Sequence, residues 1–509
     1  MDATNVSTTA EPAAQDASIL ATMSKTQLFF SLILALVIVP RLLKIISRLI
    51  SPISRIPGPF INKISSIPLM KASAAGKTHE LSARLHAKYG PIVVLSPRMI
   101  SVSDKNEVKR IIHTEDWPKS ELIYGNFRQN PARPTLIAFT DKKAYAERKR
   151  LISGWFGMRY IRSLQPLMQQ CIDETIKVVE AACDDPGSAG EVDMQNLCTA
   201  TAVDIIGTTI FGQSFDVVKN GSHPLPTFLR KMLKASGLLL FMPWIRSIPF
   251  RPTRPAYIDR FTLDIMESRR RTAKTAPRQD LLQKLVERLD DEDGKLTPFD
   301  VQGEVTIMLV AGTETTANSE LFTLLMLARH PDKLRRVYEE VDAWYTPGDF
   351  SRAVDCEYSL HGMTYLQACE DEAMRLVPAQ ATGSPRESRR DESVLGYRVP
   401  AGTTVFPTTQ GVHHDESVWP DAKEYIPERW LEIYENGKVN EQYFWPFSAG
   451  SRVCIGKHFA LQEMHLMLVS LLRRFEFEYV PGQLESTVFR VAQHMEAPKY
   501  VLKVRRRKF

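Results

Sequence analysis

The apolar positions of this chain recur mostly every three or four residues, the spacing of helices that bury one face. The longest such stretch runs from about Thr297 to His330, and its middle, VTIMLVAGTETTANSELFTLLMLA, is apolar around much of its circumference. Such a helix threads a core. Thr297 with Asp300 three residues on predicts a capping box, Pro298 suits the first helical position, and His330-Pro331 marks the stop. A second helix is expected from Thr364, with Gln367 completing a capping box and Pro378 beyond its end. A third follows Cys454, with Ala460, Met464, Met467, Leu468 and Leu471 marking its buried face. Strands are fewer. IVVLS (92–96) and MISVS (99–103), joined by Pro97-Arg98, predict a hairpin. VLGYRV and TTVFP, around 394–407, predict a second strand pair across Pro400-Ala401-Gly402. Loops are marked by DDPGSAGE (184–191) and TAKTAPRQD (272–280). The expected fold is mainly α with a smaller β portion.

The N-terminal region, 1–50, has a different pattern. LFFSLILALVIV (28–39) is apolar, and Pro40, Arg41, Lys44 and Arg48 follow it. The strict run is shorter than the ~20 residues of a spanning helix. Continuing through RLLKIISRLI supplies the length if the basic side chains snorkel. A single-pass N-terminal membrane anchor is therefore expected, with an interfacial amphipathic helix as the alternative. The basic C-terminal flank places the body in the cytoplasm. Asn5-Val6-Ser7 is a glycosylation sequon, usable only if this end is luminal. Pro52, Pro57 and Pro59 stiffen residues 51–59 into a hinge. The remaining 60–509 shows no repeat or long low-complexity linker and reads as one large domain. Within it, GLLLFMPW (237–244) is unusually apolar, suiting either a membrane-dipping segment or a buried helix.

Composition narrows the function. The net charge is only +6, and no dense basic run interleaved with aromatics calls for nucleic acid. The basic excess suits membrane lipid headgroups or an acidic protein partner. Six cysteines are far apart and form no CxxC pair, which argues against a zinc site and a disulfide scaffold.

One cysteine stands in a chemical context. In FSAGSRVCIG (447–456) it follows a glycine-containing turn and immediately precedes a helix. A helix N-terminus pushes a thiol toward thiolate, and a thiolate is a soft axial ligand for haem iron. Gly450 and Gly456 would let the backbone approach a flat macrocycle, and Arg452 could meet an anionic propionate. The segment resembles the haem-binding loop of the cytochromes P450 at Phe447, Gly450, Arg452, Cys454 and Gly456, continuing through Ala460 and Glu463. The resemblance covers essentially everything after the hinge and looks most like membrane-bound fungal members.

The resemblance implies haem b (iron protoporphyrin IX) held by Cys454. It also assigns Ala311-Gly312-Thr313-Glu314-Thr315-Thr316 to the place where dioxygen binds, with Glu314 and Thr315 delivering protons. Glu372 and Arg375, three apart on one helical face, would form with Arg429 a structural network holding the Cys454 loop. Arg386 would be a propionate cation. Tyr145 and Lys149 stand where the family commonly has tryptophan and arginine, and Arg148 or Arg150 could substitute. Substrate contacts would come from about 115–140, 215–255, the long helix and the stretch near Val491.

The implied activity is a monooxygenase that oxidises a lipophilic small molecule such as a steroid, terpenoid or polyketide. It would use dioxygen and NADPH electrons from a separate NADPH–cytochrome P450 reductase at the endoplasmic reticulum membrane, since no dinucleotide fingerprint or flavin domain is evident. Two other readings are a haem-thiolate isomerase or dehydratase that needs no dioxygen, against which Glu314-Thr315 argues, and a non-catalytic haem- or lipid-binding membrane protein.

Overall fold

The computed structural model describes residues 25–128, 132–242, 256–272, 275, 278, 280–290, 296–356, 362–436 and 442–509. The longer helices used below are α1 (Lys25–Ile50), α2 (Ile67–Ala75), α3 (Lys142–Ser153), α4 (Gln165–Asp184), α5 (Met194–Ile206), α6 (Pro224–Phe241), α7 (Pro298–Arg329), α8 (Pro331–Trp344), α9 (Thr364–Leu376), α10 (Glu428–Asn436) and α11 (Lys457–Leu472). The fold is mainly helical with a smaller sheet portion.

Helix α1 carries the N-terminal apolar run straight through Pro40 and leaves Leu36, Leu43 and Ile50 exposed. Among the described residues no helix is long and apolar enough to cross a membrane. Asn5 lies outside the described residues. The proline-rich 51–59 segment is docked rather than free: Ile53 and Ile56 are buried, and the Pro57 carbonyl accepts from the Val94 N–H at 2.9 Å.

Strand β1 (Ile92–Ser96) pairs antiparallel with β2 (Met99–Val102), the expected hairpin. The sheet continues from β2 to β7 (Thr404–Pro407), parallel, and from β7 to β4 (Arg386–Glu387), antiparallel. The second expected strand pair is corrected. VLGYRV contains its own turn: Leu395 and Gly396, at φ 49° and 80°, close a hairpin of β5 (Glu392–Val394) and β6 (Tyr397–Val399). Two successive left-handed residues make the tight turn that matches strand twist. The TTVFP segment then leaves to pair with β2 instead. Near the C-terminus, β11 (Val501–Arg506) lies between β3 (Glu191–Asp193) and β8 (Phe475–Tyr479), while β9 (Thr487–Arg490) and β10 (Ala492–Met495) form a separate hairpin.

The main core is helical, and α7 runs through it. Its capping box is formed: the Thr297 hydroxyl accepts from the Asp300 N–H while the Asp300 carboxylate accepts from the Thr297 N–H. The start of α9 departs from expectation. Thr364 makes no side-chain cap; the Glu340 carboxylate of α8 accepts from the Tyr365 and Leu366 N–H groups at 2.8 Å each. A carboxylate from a neighbouring helix thus satisfies the first-turn donors that a local hydroxyl would otherwise take. Helix α11 is also not one-faced. Met464, Met467, Leu468 and Leu471 are buried, but so are Gln462, Glu463 and His465, while Ala460 is only half-buried. In the apolar 237–244 segment, Gly237 is buried and its carbonyl accepts from the Ser73 hydroxyl of α2 at 3.0 Å. Pro243 and Trp244 lie outside the described residues.

Candidate active site

All six cysteines are free thiols, and Cys454 is the exposed one among them. Its loop is held by backbone bonds: the Cys454 N–H donates to the Phe447 carbonyl at 2.9 Å and the Val453 N–H to Gly450 at 3.2 Å. Phe447 itself is half-buried. Gly450 is at φ 69°, and a Cβ there would stand 2.4 Å from the Ile112 carbonyl oxygen. Its freedom is therefore needed for close approach to the Ile112 backbone. Gly456 differs: a Cβ there would reach the Cys454 sulfur at 3.9 Å. The thiol lies just before α11, yet its net shift is upward. Surrounding protein raises it, and the Gly456 N–H with Lys119, Lys149 and Lys457 pulls only partly back. Helix position therefore does not by itself lower this thiol.

Three cations gather beside the loop. Arg452 is buried, donates from Nη1 to the Phe139 carbonyl at 2.7 Å, and stacks its guanidinium 3.7 Å from the Tyr145 ring centre. Arg386 is wholly buried, donates from Nη1 to the Trp117 carbonyl at 2.8 Å, and lies 3.6 Å from the Asp116 carboxylate. Lys119, which sequence reasoning missed, donates to the Ile137 carbonyl at 2.9 Å. Burial pushes the Lys119 ammonium well below its usual range, with Arg452 and Arg386 adding to the fall. Among the described residues Arg386 Nε and Nη2 and Arg452 Nε find no acceptor. Buried, under-satisfied guanidinium groups of one sign mark a place for an anion.

The basic side chains of the early helix α3 point to different partners. Lys149 donates to the Ser451 carbonyl at 3.0 Å, bracing the cysteine loop. Arg148 is turned to α7, 2.9 Å from Asp300 and 3.4 Å from Glu304, so it cannot substitute as a propionate cation; Arg150 is exposed. The Glu304 carboxylate also accepts from the Leu136 N–H at 3.0 Å, and burial lifts it to about 7 against the pull of Arg148. An acid four residues after Asp300, on the same helical face, was the sequence signal for this clamp.

On α7, Ala311 is exposed in the middle of a helix otherwise largely buried, and Thr315 one turn on is half-buried. The Thr315 hydroxyl donates to the Ala311 carbonyl at 2.7 Å. The Glu314 carboxylate turns instead to Asn318, whose Nδ2 lies 3.4 Å from it, and burial raises it above the usual carboxylate range. The two side chains expected to act as a pair are thus not hydrogen-bonded to each other. Gly312 packs against α5: a Cβ there would stand 2.6 Å from Ile206 Cδ1. It allows close helix contact rather than opening space.

The structure brings Glu372, Arg375 and Arg429 together. Arg375 donates to both Glu372 oxygens at 2.8 Å and to the carbonyls of His413 and Ala422 at 2.6 Å. Arg429 Nε at 3.1 Å, Trp430 Nε1 at 2.9 Å and the Ile426 N–H at 3.0 Å complete the acceptors of Glu372. A buried ion pair persists on such terms, with its remaining hydrogen-bonding capacity used.

Residues 57–504 match the family model Cytochrome P450. The chain belongs to the cytochrome P450 family. It is 90% identical, over 81% of its length and 100% of the relative's, to Cytochrome P450 monooxygenase mpsF of Macrophomina phaseolina. It is 58% identical, over 95% and 97% of the two chains, to Cytochrome P450 monooxygenase acrD of Aspergillus aculeatus. To Cytochrome P450 monooxygenase LUC2 of a Fusarium species it is 55% identical over 95% of each.

This P450 is a monooxygenase, and its cofactor is haem b. The site fits that group. Cys454 supplies an exposed sulfur, and the orphaned nitrogens of Arg386 and Arg452 need the anionic oxygens that two propionates carry.

Proposed function

We propose that this P450 oxidises a C–H bond of a lipophilic small molecule, taking NADPH electrons from a separate reductase at a membrane surface. The observation carrying the reading is the coincidence of one exposed cysteine with a cluster of under-satisfied cations in a chain whose other cysteines are wholly or partly buried.

In this reading Cys454 holds the iron, and Arg386, Arg452 and Lys119 face the propionates. Haem supplies oxygen activation when bound, favoured by electron density from the thiolate. The chain does the rest. Tyr145 fixes the Arg452 guanidinium, and Lys149 braces the loop through Ser451. Thr315 keeps two lone pairs after donating to Ala311, so its hydroxyl can hold a water and pass a proton. Burial raises Glu314 above the usual carboxylate range, which suits it as a proton source one residue away. The apolar side chains exposed on α1 suit contact with membrane lipid, whether the segment spans or lies at the interface. The test is oxygen uptake coupled to product with a purified reductase and a panel of lipophilic compounds. NADPH-dependent product from any member supports the reading; spectral binding without turnover across the panel opposes it.

A further inference from the structure

His413 ends a short helix that follows β7, and it is wholly buried. Its carbonyl accepts from Arg375 Nη1 at 2.6 Å, and its Nε2 accepts from the Trp445 backbone N–H at 3.0 Å. The ring rests against Phe444, centres 5.3 Å apart. From Trp445 the chain of bonds continues: its carbonyl accepts from the Ser448 N–H at 3.0 Å, and Phe447 accepts from the Cys454 N–H at 2.9 Å.

We infer that His413 is the positioning residue that ties the Glu372–Arg375–Arg429 network to the loop carrying Cys454. The inference rests on the reading that Cys454 holds the iron. One residue faces both ways: its backbone oxygen is fixed by Arg375 and its side chain fixes the entry to the loop. Because Trp445 offers an N–H, Nε2 must be an acceptor, so the ring is neutral and carries its proton on Nδ1. Burial and the Arg375 charge both hold it neutral. Without that acceptor the buried Trp445 N–H is orphaned and the loop start is free to shift. The carbonyl bond to Arg375 survives any side-chain change, so the side chain can be tested separately from the network.

The experiment compares His413→Leu, which removes the acceptor, with His413→Gln, whose side-chain oxygen replaces it. Two readouts are taken: hydrogen exchange of the Trp445 amide, and the rate at which the reduced, carbon-monoxide-treated holoenzyme loses its thiolate-type Soret band. In His413→Leu both should rise by about tenfold, the worth of one buried hydrogen bond. In His413→Gln both should stay within about threefold of the parent. Parent-like exchange and band lifetime in His413→Leu would overturn the inference, as would equal damage in both variants. If His413→Leu does not fold, exchange in His413→Gln decides: slow supports the role and fast refutes it. A parent protein lacking the thiolate band would fell the Cys454 reading, while amide exchange would still judge the His413 bond.

Discussion

The Arg452 guanidinium lies 3.7 Å from the centre of the Tyr145 ring, and both side chains are buried. The ring occupies one face of the cation while the Phe139 carbonyl takes Nη1, and Nε is left without an acceptor among the described residues. Tyr145→Leu removes that support. Haem transfer to an acceptor apoprotein should accelerate by roughly 2- to 30-fold, the range of a partly desolvated cation–π contact. Tyr145→Phe keeps a ring and should stay near the parent rate; an unchanged rate in Tyr145→Leu would remove the stack from haem retention.

Arg386→Met separates folding from cofactor binding. Arg386 is wholly buried with two guanidinium nitrogens unpartnered among the described residues, a costly state without an anion. The apoprotein should therefore melt no lower than the parent, while haem content after purification falls. Full haem content would deny Arg386 a part in the site.

Arg375→Leu strands the Glu372 charge among Trp430, Ile426 and Arg429. Breaking a buried pair from one side costs about 3–5 kcal/mol. Denaturant unfolding, or soluble yield if the loss is complete, should report it. A change below about 1 kcal/mol, the size of an exposed pair, would contradict the buried-network account.

The buried acids Glu320 on α7 and Glu463 on α11 give a pH signature. None of their four carboxyl oxygens has a partner among the described residues, and burial raises both groups well above the usual range, with Glu370 adding to the rise of Glu320 and Glu320 to that of Glu463. The folded chain then keeps protons that the unfolded chain releases. Their cost is absent below the ordinary glutamate range and grows as pH rises, until the folded groups themselves ionise. The slope is about 1.4 kcal/mol of lost stability per pH unit per retained proton. Glu320→Gln should flatten the fall in stability between about pH 5 and about pH 7. A curve parallel to the parent would mean that Glu320 is ionised in the fold.

Much of this was legible in the sequence because it depends on local pattern. The bounds of α7 and its Thr297 cap, the β1–β2 hairpin and the Glu372–Arg375 spacing all follow from residues within one or two turns of each other. What escaped depends on partners far along the chain. The Glu340 cap of α9, the Ile112 carbonyl that requires Gly450, the turn of Arg148 toward Asp300, and Lys119 beside Arg386 are meetings of distant segments. VLGYRV misled because its alternation reads as one strand, whereas Leu395-Gly396 folds it in two.

Thr315→Val keeps the side-chain shape and removes the hydroxyl that donates to Ala311. With an active reductase and substrate, haem content should hold while product per NADPH falls about 10²-fold, at the low end for a lost general-acid contact, and peroxide rises. Thr315→Ser should recover much of the coupling. Parent-like coupling in Thr315→Val would take the hydroxyl out of proton delivery.

One sulfur, exposed at the head of α11, is proposed to hold the haem iron. The Soret spectrum of reduced protein under carbon monoxide, with Cys454→Ala beside the parent, decides that role. The parent should show the thiolate-type Soret band and Cys454→Ala should lose it. A parent without that band, or an alanine variant that keeps it, would rule Cys454 out as the ligand.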